Sequence, residues 1–191
     1  YLDGRFVNLS SGGVYPDFDR ELNKSSEVIK HREVLYIGMD FNVLKMAAVV
    51  FVLRDGKAHA VDELVNVRDT PTMAELIKEK YPDHTIKIYP DAAGQATSSK
   101  NSSESDHIIL KRAGFQLVVN GSNPAVKDRI NACNAQILNS NGIRSFFVNT
   151  DLCPNLTEAL EQQAYDKHGA PDKSTGHDHV LDAFGYYLVK Q

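Results

Sequence analysis

From residue 34 onward, apolar runs and polar turns alternate at a spacing that suits strands first and helices later. Residues 35–41 form a short apolar run, and residues 46–53 a longer one rich in β-branched residues and Ala. Arg54-Asp55-Gly56-Lys57 separates the second run from a third over 58–67, and its Asp-Gly pair is a hairpin signal. Three consecutive antiparallel strands are predicted. Thr70-Pro71 offers an N-cap and a first-turn proline to a helix whose stripe is Met73, Leu76 and Ile77, ended by Pro82. Residues 85–89 read as a fourth strand, running into Pro90-Asp91-Ala92-Ala93-Gly94. A helix over 106–113 and a strand over 115–119 follow. A helix over 124–139 comes next, with Val126, Ile130, Cys133, Ile137 and Leu138 along one side. A short strand at 146–148, a helix over 154–165 and a terminal helix over 177–189 complete the order. A meander followed by strand–helix–strand crossovers predicts an α/β fold: a mixed sheet with helices packed on its faces.

The remaining stretches read as connections. Residues 1–33 are rich in turn residues (Asp3-Gly4, Ser10-Ser11-Gly12-Gly13, Tyr15-Pro16-Asp17) and form an irregular lead-in, leaving 34–191 as the folded domain. Residues 95–105 are Ser-rich and read as a mobile surface loop, and 166–176 as a polar Gly/Pro loop.

Composition narrows the classes. With 191 residues, 42% hydrophobic and 24% charged, the chain suits one α/β domain of a soluble protein. No apolar run approaches the roughly 18 residues of a membrane span. The chain starts at Tyr1 with no basic-then-apolar leader, so it reads as a piece of something longer. Cys133 and Cys153 form no Cys-x-x-Cys pair, which argues against structural zinc and for two small buried hydrophobes in a reducing compartment. The formal net charge is −4. A domain that gripped DNA unaided would be basic, so this one either does not bind DNA or acts on DNA held elsewhere.

Candidate chemistry lies in the acids. Asp40 ends the first strand in Tyr36-Ile37-Gly38-Met39-Asp40, and Asp91 ends the fourth. A carboxylate at the end of a central strand is costly to bury without a partner. Asp178 and Asp182, four positions apart, share a face of the last helix beside Leu181, Phe184 and Leu188. If the first and fourth strands are neighbours and the last helix crosses their ends, these acids meet. Two carboxylates about 4 Å apart repel by about 4 kcal/mol at an effective dielectric near 20, so such a cluster takes up protons or a cation. Oxygen ligands select Mg²⁺ or Mn²⁺, and a pair of such ions serves phosphodiester hydrolysis. Taken singly, each aspartate is more at home capping a turn, or in the case of Asp178 a helix N-terminus.

At these residues the chain resembles the nuclease domain of tailed-phage large terminase subunits. The stretches from Gly4-Arg5-Phe6-Val7 to Val14-Tyr15-Pro16-Asp17-Phe18, Tyr36–Asp40, Ile88–Gly94 and Gly176-His177-Asp178-His179-Val180-Leu181-Asp182-Ala183 match in order. The resemblance implies an RNase H-like fold and cutting of double-stranded DNA with little sequence specificity. It also implies two divalent metals per site (Mg²⁺ or Mn²⁺) held by Asp40, Asp91, Asp182 and Asp178. It further implies an upstream ATPase motor in the same chain, with the portal protein and small terminase subunit as partners, in the host cytoplasm. No Gly-x-x-x-x-Gly-Lys-Ser/Thr loop occurs here, so ATP hydrolysis is not expected of this piece. A motor that holds the DNA also accounts for the acidic charge. The third stretch often reads His-Asp-Asp where this chain has His177-Asp178-His179, which leaves Asp178, His179 and Asp182 as alternative members of the metal shell.

Auxiliary candidates are His179, for metal contact or proton transfer, and Glu63, as an extra acid on the third strand. Lys100, Lys167 and Lys173 in the polar loops are candidate phosphate contacts, and Lys127 and Arg129 would extend that rim from a helix surface. The alternatives are a RuvC-like resolvase, which would draw an acid from Glu75 or Glu79, a transposase-like nuclease, and a non-catalytic docking module.

Overall fold

Strand pairing follows the apolar runs. In the computed structural model, which describes residues 12–95 and 105–191, β1 (Leu35–Asp40), β2 (Met46–Arg54) and β3 (Lys57–Val67) form the antiparallel meander. At the β2–β3 turn Asp55 and Gly56 take φ of 52° and 75°, the backbone whose twist matches the strands it joins. α1 (Thr70–Lys80) crosses to β4 (Ile86–Pro90), parallel to β1, and α2 (Asp106–Arg112) leads to β5 (Gln116–Leu117), parallel to β4. α3 (Val126–Ile137) precedes β6 (Phe146–Val148), which pairs parallel with β3; α4 (Pro154–Gln162) and α5 (Asp178–Leu188) follow. The sheet order is β5-β4-β1-β2-β3-β6. This is the expected mixed sheet, a meander extended by parallel strands.

The differences are local. The N-cap of α1 is Asp69, whose carboxylate accepts from the Thr72 N–H at 2.9 Å, while Thr70 lies in the helix and donates its hydroxyl to Asp106 at 2.6 Å. The expected cap, Thr70, is thus displaced by its neighbour, a residue type that caps equally well. α3 begins at Val126 rather than 124, and β5 has two residues rather than five because it sits at the sheet edge with one neighbour to hold it. The Ser-rich stretch 96–104 with Lys100, and the Gly4–Val7 stretch, lie outside the described residues.

Side-chain alternation sorts two cores. Leu35, Ile37 and Met39 of β1 join Ala48, Val50 and Val52 of β2 and Met73 and Ile77 of α1 on one face. Val49 and Phe51 pack on the other face with α3, α4 and α5. Tyr36, Gly38 and Asp40 therefore face α5. Gly38 permits this closeness: a Cβ there would lie 1.8 Å from the Ala183 carbonyl oxygen. Residues 12–33 run in turns and isolated bridges, yet Val14 and Tyr15 are buried in the α5-side core. Cys133 and Cys153 are free and buried. No described helix is long and apolar enough to cross a membrane.

Candidate metal centre

The end of β1, the end of β4 and the first turns of α5 meet at one place. β1 and β4 run parallel with Met39 opposite Pro90, so Asp40 and Asp91 end adjacent strands side by side. Asp40 is 6% exposed, and His179 on α5 reaches it, Nδ1 to Oδ2 at 3.2 Å. The other ring nitrogen of His179 lies 3.8 Å from Asp178 Oδ1. Asp182, one turn along, accepts a bond from Arg129 Nη2 at 2.5 Å. Asp91 is clamped: its carboxylate accepts from Asn123 Nδ2 at 2.6 Å and the Ala93 N–H at 2.8 Å, and His107 Nε2 lies 2.9 Å from its carbonyl oxygen.

The electrostatics carry the strain of this gathering. Burial, with Asp182 and Asp91 adding to it and His179 opposing, pushes the Asp40 carboxyl up to about 7. Asp182 is also raised, chiefly by burial and then by Asp178, while Arg129, Lys173 and His179 pull the other way. The raised affinity of Asp40 for a proton and the Arg129 guanidinium on Asp182 both answer this crowding of like charge.

Whether the residues fit a metal is a question of donors. Among the described residues, no three His, Cys, Asp or Glu side chains are drawn tightly enough to hold an ion as they stand. The donor set nevertheless suits a hard divalent cation. Four carboxylates and one imidazole converge, and Asp178 Oδ1 is buried with no hydrogen-bond partner. A buried acceptor left unsatisfied is costly, and a cation would satisfy it.

Other candidates are placed differently. Glu63 does not join the cluster: its Oε1 accepts from the Asn155 N–H and Nδ2 at 2.8 and 3.0 Å, and Oε2 from the Leu156 N–H at 2.9 Å. It caps α4, where the helix dipole favours an anion. Lys167 and Lys173 are exposed on the loop before α5, and Lys173 bears on Asp182 electrostatically. Lys127 is exposed, but Arg129 is no part of a rim, being 7% exposed. Glu75 and Glu79 are exposed on α1, which packs on the sheet face away from α5. Sequence reasoning missed Asn123 and His107, and it read Arg129 as a surface charge when it is buried against Asp182. Arg129 had a signal, since it lies four and eight positions before Cys133 and Ile137 on the buried stripe; Asn123, in an exposed turn, had none.

Residues 37–191 match the family model described as terminase RNaseH-like domain. No curated protein sequence matches the chain. Among solved structures, it superposes on the large terminase of a thermophilic bacteriophage with a TM-score of 0.70 at 18% identity. That match covers 93% of this chain and 45% of the terminase chain, so the sequence spans under half the length of that protein. The P22 large terminase nuclease domain gives 0.70 at 19% identity, covering 94% of this chain and 93% of that one. The large terminase nuclease of thermophilic phage G20c with bound magnesium gives 0.64 at 11%, covering 94% and 97%. At such identities the likeness fixes the fold, an RNase H-like one.

Proposed function

The chain belongs to the terminase RNaseH-like domain family, and we propose on that basis that it is a metal-dependent endonuclease cutting double-stranded viral DNA, with little sequence preference, during genome packaging. What carries the reading is the meeting of Asp40, Asp91, Asp178 and Asp182 at one end of the sheet, with an unsatisfied carboxylate oxygen among them. Asp40, Asp91 and Asp182 would hold two Mg²⁺ or Mn²⁺ ions, with Asp178 as a further ligand or support. Bound there, the ions supply an activated water and a counter-charge for the leaving oxygen. The protein supplies the rest. Asn123 and His107 fix Asp91 from two sides. His179, whose ring nitrogens lie near Asp40 and Asp178, would hold or pass a proton. Lys173 and Lys167 would contact phosphates, a role also proposed for Lys100, which lies outside the described residues. By the same reading residues 1–33 lead in from an ATPase motor of the same chain, which with the portal protein and small terminase subunit holds the DNA in the host cytoplasm. The magnesium bound in the G20c neighbour supports the choice of metal.

The test is nicking of supercoiled plasmid with Mg²⁺ or Mn²⁺ against EDTA. Asp40→Asn and Asp91→Asn should each lower the rate by about 100-fold or more, since even outer residues of metal sites cost about 10–100-fold. Variants that nick like the wild type would refute the reading; a strong preference for four-way junctions over linear duplex would move it to a resolvase.

A further inference from the structure

Arg129 is a cation that the fold has taken trouble to bury. It lies on α3, 7% exposed, and reaches across to α5. Its Nη2 donates to Asp182 Oδ1 at 2.5 Å, and its guanidinium carbon lies 4.8 Å from the centre of the Tyr186 ring. Its stem fills a notch at Gly185, where a Cβ would lie 2.8 Å from the Arg129 Cδ. Residues 182, 185 and 186 of α5 are thus all fitted to one side chain. Stability is a poor explanation for such a pair, because a buried ion pair roughly breaks even against apolar packing. Its position is more telling, since the acid it engages belongs to the carboxylate cluster and the contact occupies only one of that acid's oxygens.

We propose that Arg129 is a positioning residue of the metal centre: an internal cation that latches Asp182 through Oδ1, leaves Oδ2 to an ion, and restrains the pocket's affinity for metal. The inference rests on the metal-dependent reading above. The two roles pull in opposite directions when the arginine is removed. Losing a positive charge beside the cluster makes the pocket more attractive to divalent ions, while losing the latch lets Asp182 leave its working position. A merely structural residue would weaken both properties together, and a phosphate-binding one would alter DNA affinity instead.

The experiment measures Mn²⁺ binding by electron paramagnetic resonance without DNA, alongside kcat and KM for plasmid nicking, in wild type, Arg129→Met and Arg129→Lys. Arg129→Met should bind Mn²⁺ about tenfold tighter, with kcat down about 100-fold and KM for DNA unchanged. Arg129→Lys, which keeps charge and most of the volume, should hold Mn²⁺ affinity within about threefold of wild type yet lose about tenfold in kcat, because an ammonium cannot hold the carboxylate and stack on Tyr186 as the planar fork does. Weaker or unchanged Mn²⁺ binding by Arg129→Met, a rise in KM alone, or wild-type kcat in Arg129→Lys each overturn the proposal. If Arg129→Met does not fold, the lysine variant decides alone. Failure of the wild type to bind Mn²⁺ sinks the metal reading itself, a distinct result.

Discussion

Replacing Gly38 by Ala probes the contact on which the site's geometry depends. The added Cβ would fall 1.8 Å from the Ala183 carbonyl oxygen and 2.9 Å from its carbon, both backbone atoms that no rotamer change can move aside. Ordinary contact begins near 3.4 Å, so α5 must lift from β1 by roughly 1.5 Å, an overpacking strain of about 3 kcal/mol. For a domain of this size that lowers the melting temperature by roughly 6–12 °C. Because Asp182 precedes Ala183 and Asp40 follows Gly38 by two, the same displacement parts the acids of α5 from those of the sheet. A misplacement of about 1 Å can cost about 100-fold in rate, so nicking at a temperature where the variant is fully folded should fall by that order. Thermal melting and plasmid nicking on the same preparation provide the measurement. A Gly38→Ala protein with wild-type stability and activity would show that α5 does not rest on β1 as described.

Two further outcomes follow from the buried acids. Asp40 is raised from 3.8 to about 7 in the fold, so the folded chain holds a proton that the unfolded chain has released between those values. Stability from this group is therefore present at low pH and lost as pH rises through about 7, by up to about 4 kcal/mol. In EDTA, Asp40→Asn should be more stable than wild type at pH 8, with the gap closing toward pH 5; denaturant titrations showing a pH-independent gap would contradict this. Glu63→Gln places an amide against three N–H groups at the start of α4 and should cost about 1–3 kcal/mol in urea unfolding while leaving the nicking rate of the folded protein unchanged. A loss of rate without loss of stability would return Glu63 to the active acids.

How much of this could be read from residues alone depended on whether the signal was local. The strands announced themselves through their own apolar runs, and the Asp55-Gly56 turn through its dipeptide. Asp40 and Asp91 were legible because a charge ending an apolar strand conflicts with its surroundings, and parallel pairing of β1 with β4 brings the two together. The rest depended on contacts between distant segments. Glu63 resembled a strand acid, and nothing near it in the chain reveals that its oxygens cap a helix beginning at Pro154. Arg129 resembled a solvated helix charge because charged residues on helices usually are; the notch at Gly185 that receives it belongs to another helix. Thr70 read as the cap of α1, but in the fold Asp69 caps it and the Thr70 hydroxyl donates to Asp106, a partner on another helix.

A crystal of the protein soaked in Mn²⁺, with the ions located by anomalous scattering, tests the metal centre itself. Two peaks about 3.5–4 Å apart, with oxygens of Asp40, Asp91 and Asp182 at about 2.0–2.3 Å from them, are the expected result. Peaks elsewhere on the surface, with those three carboxyl groups holding no ion between them, would contradict it.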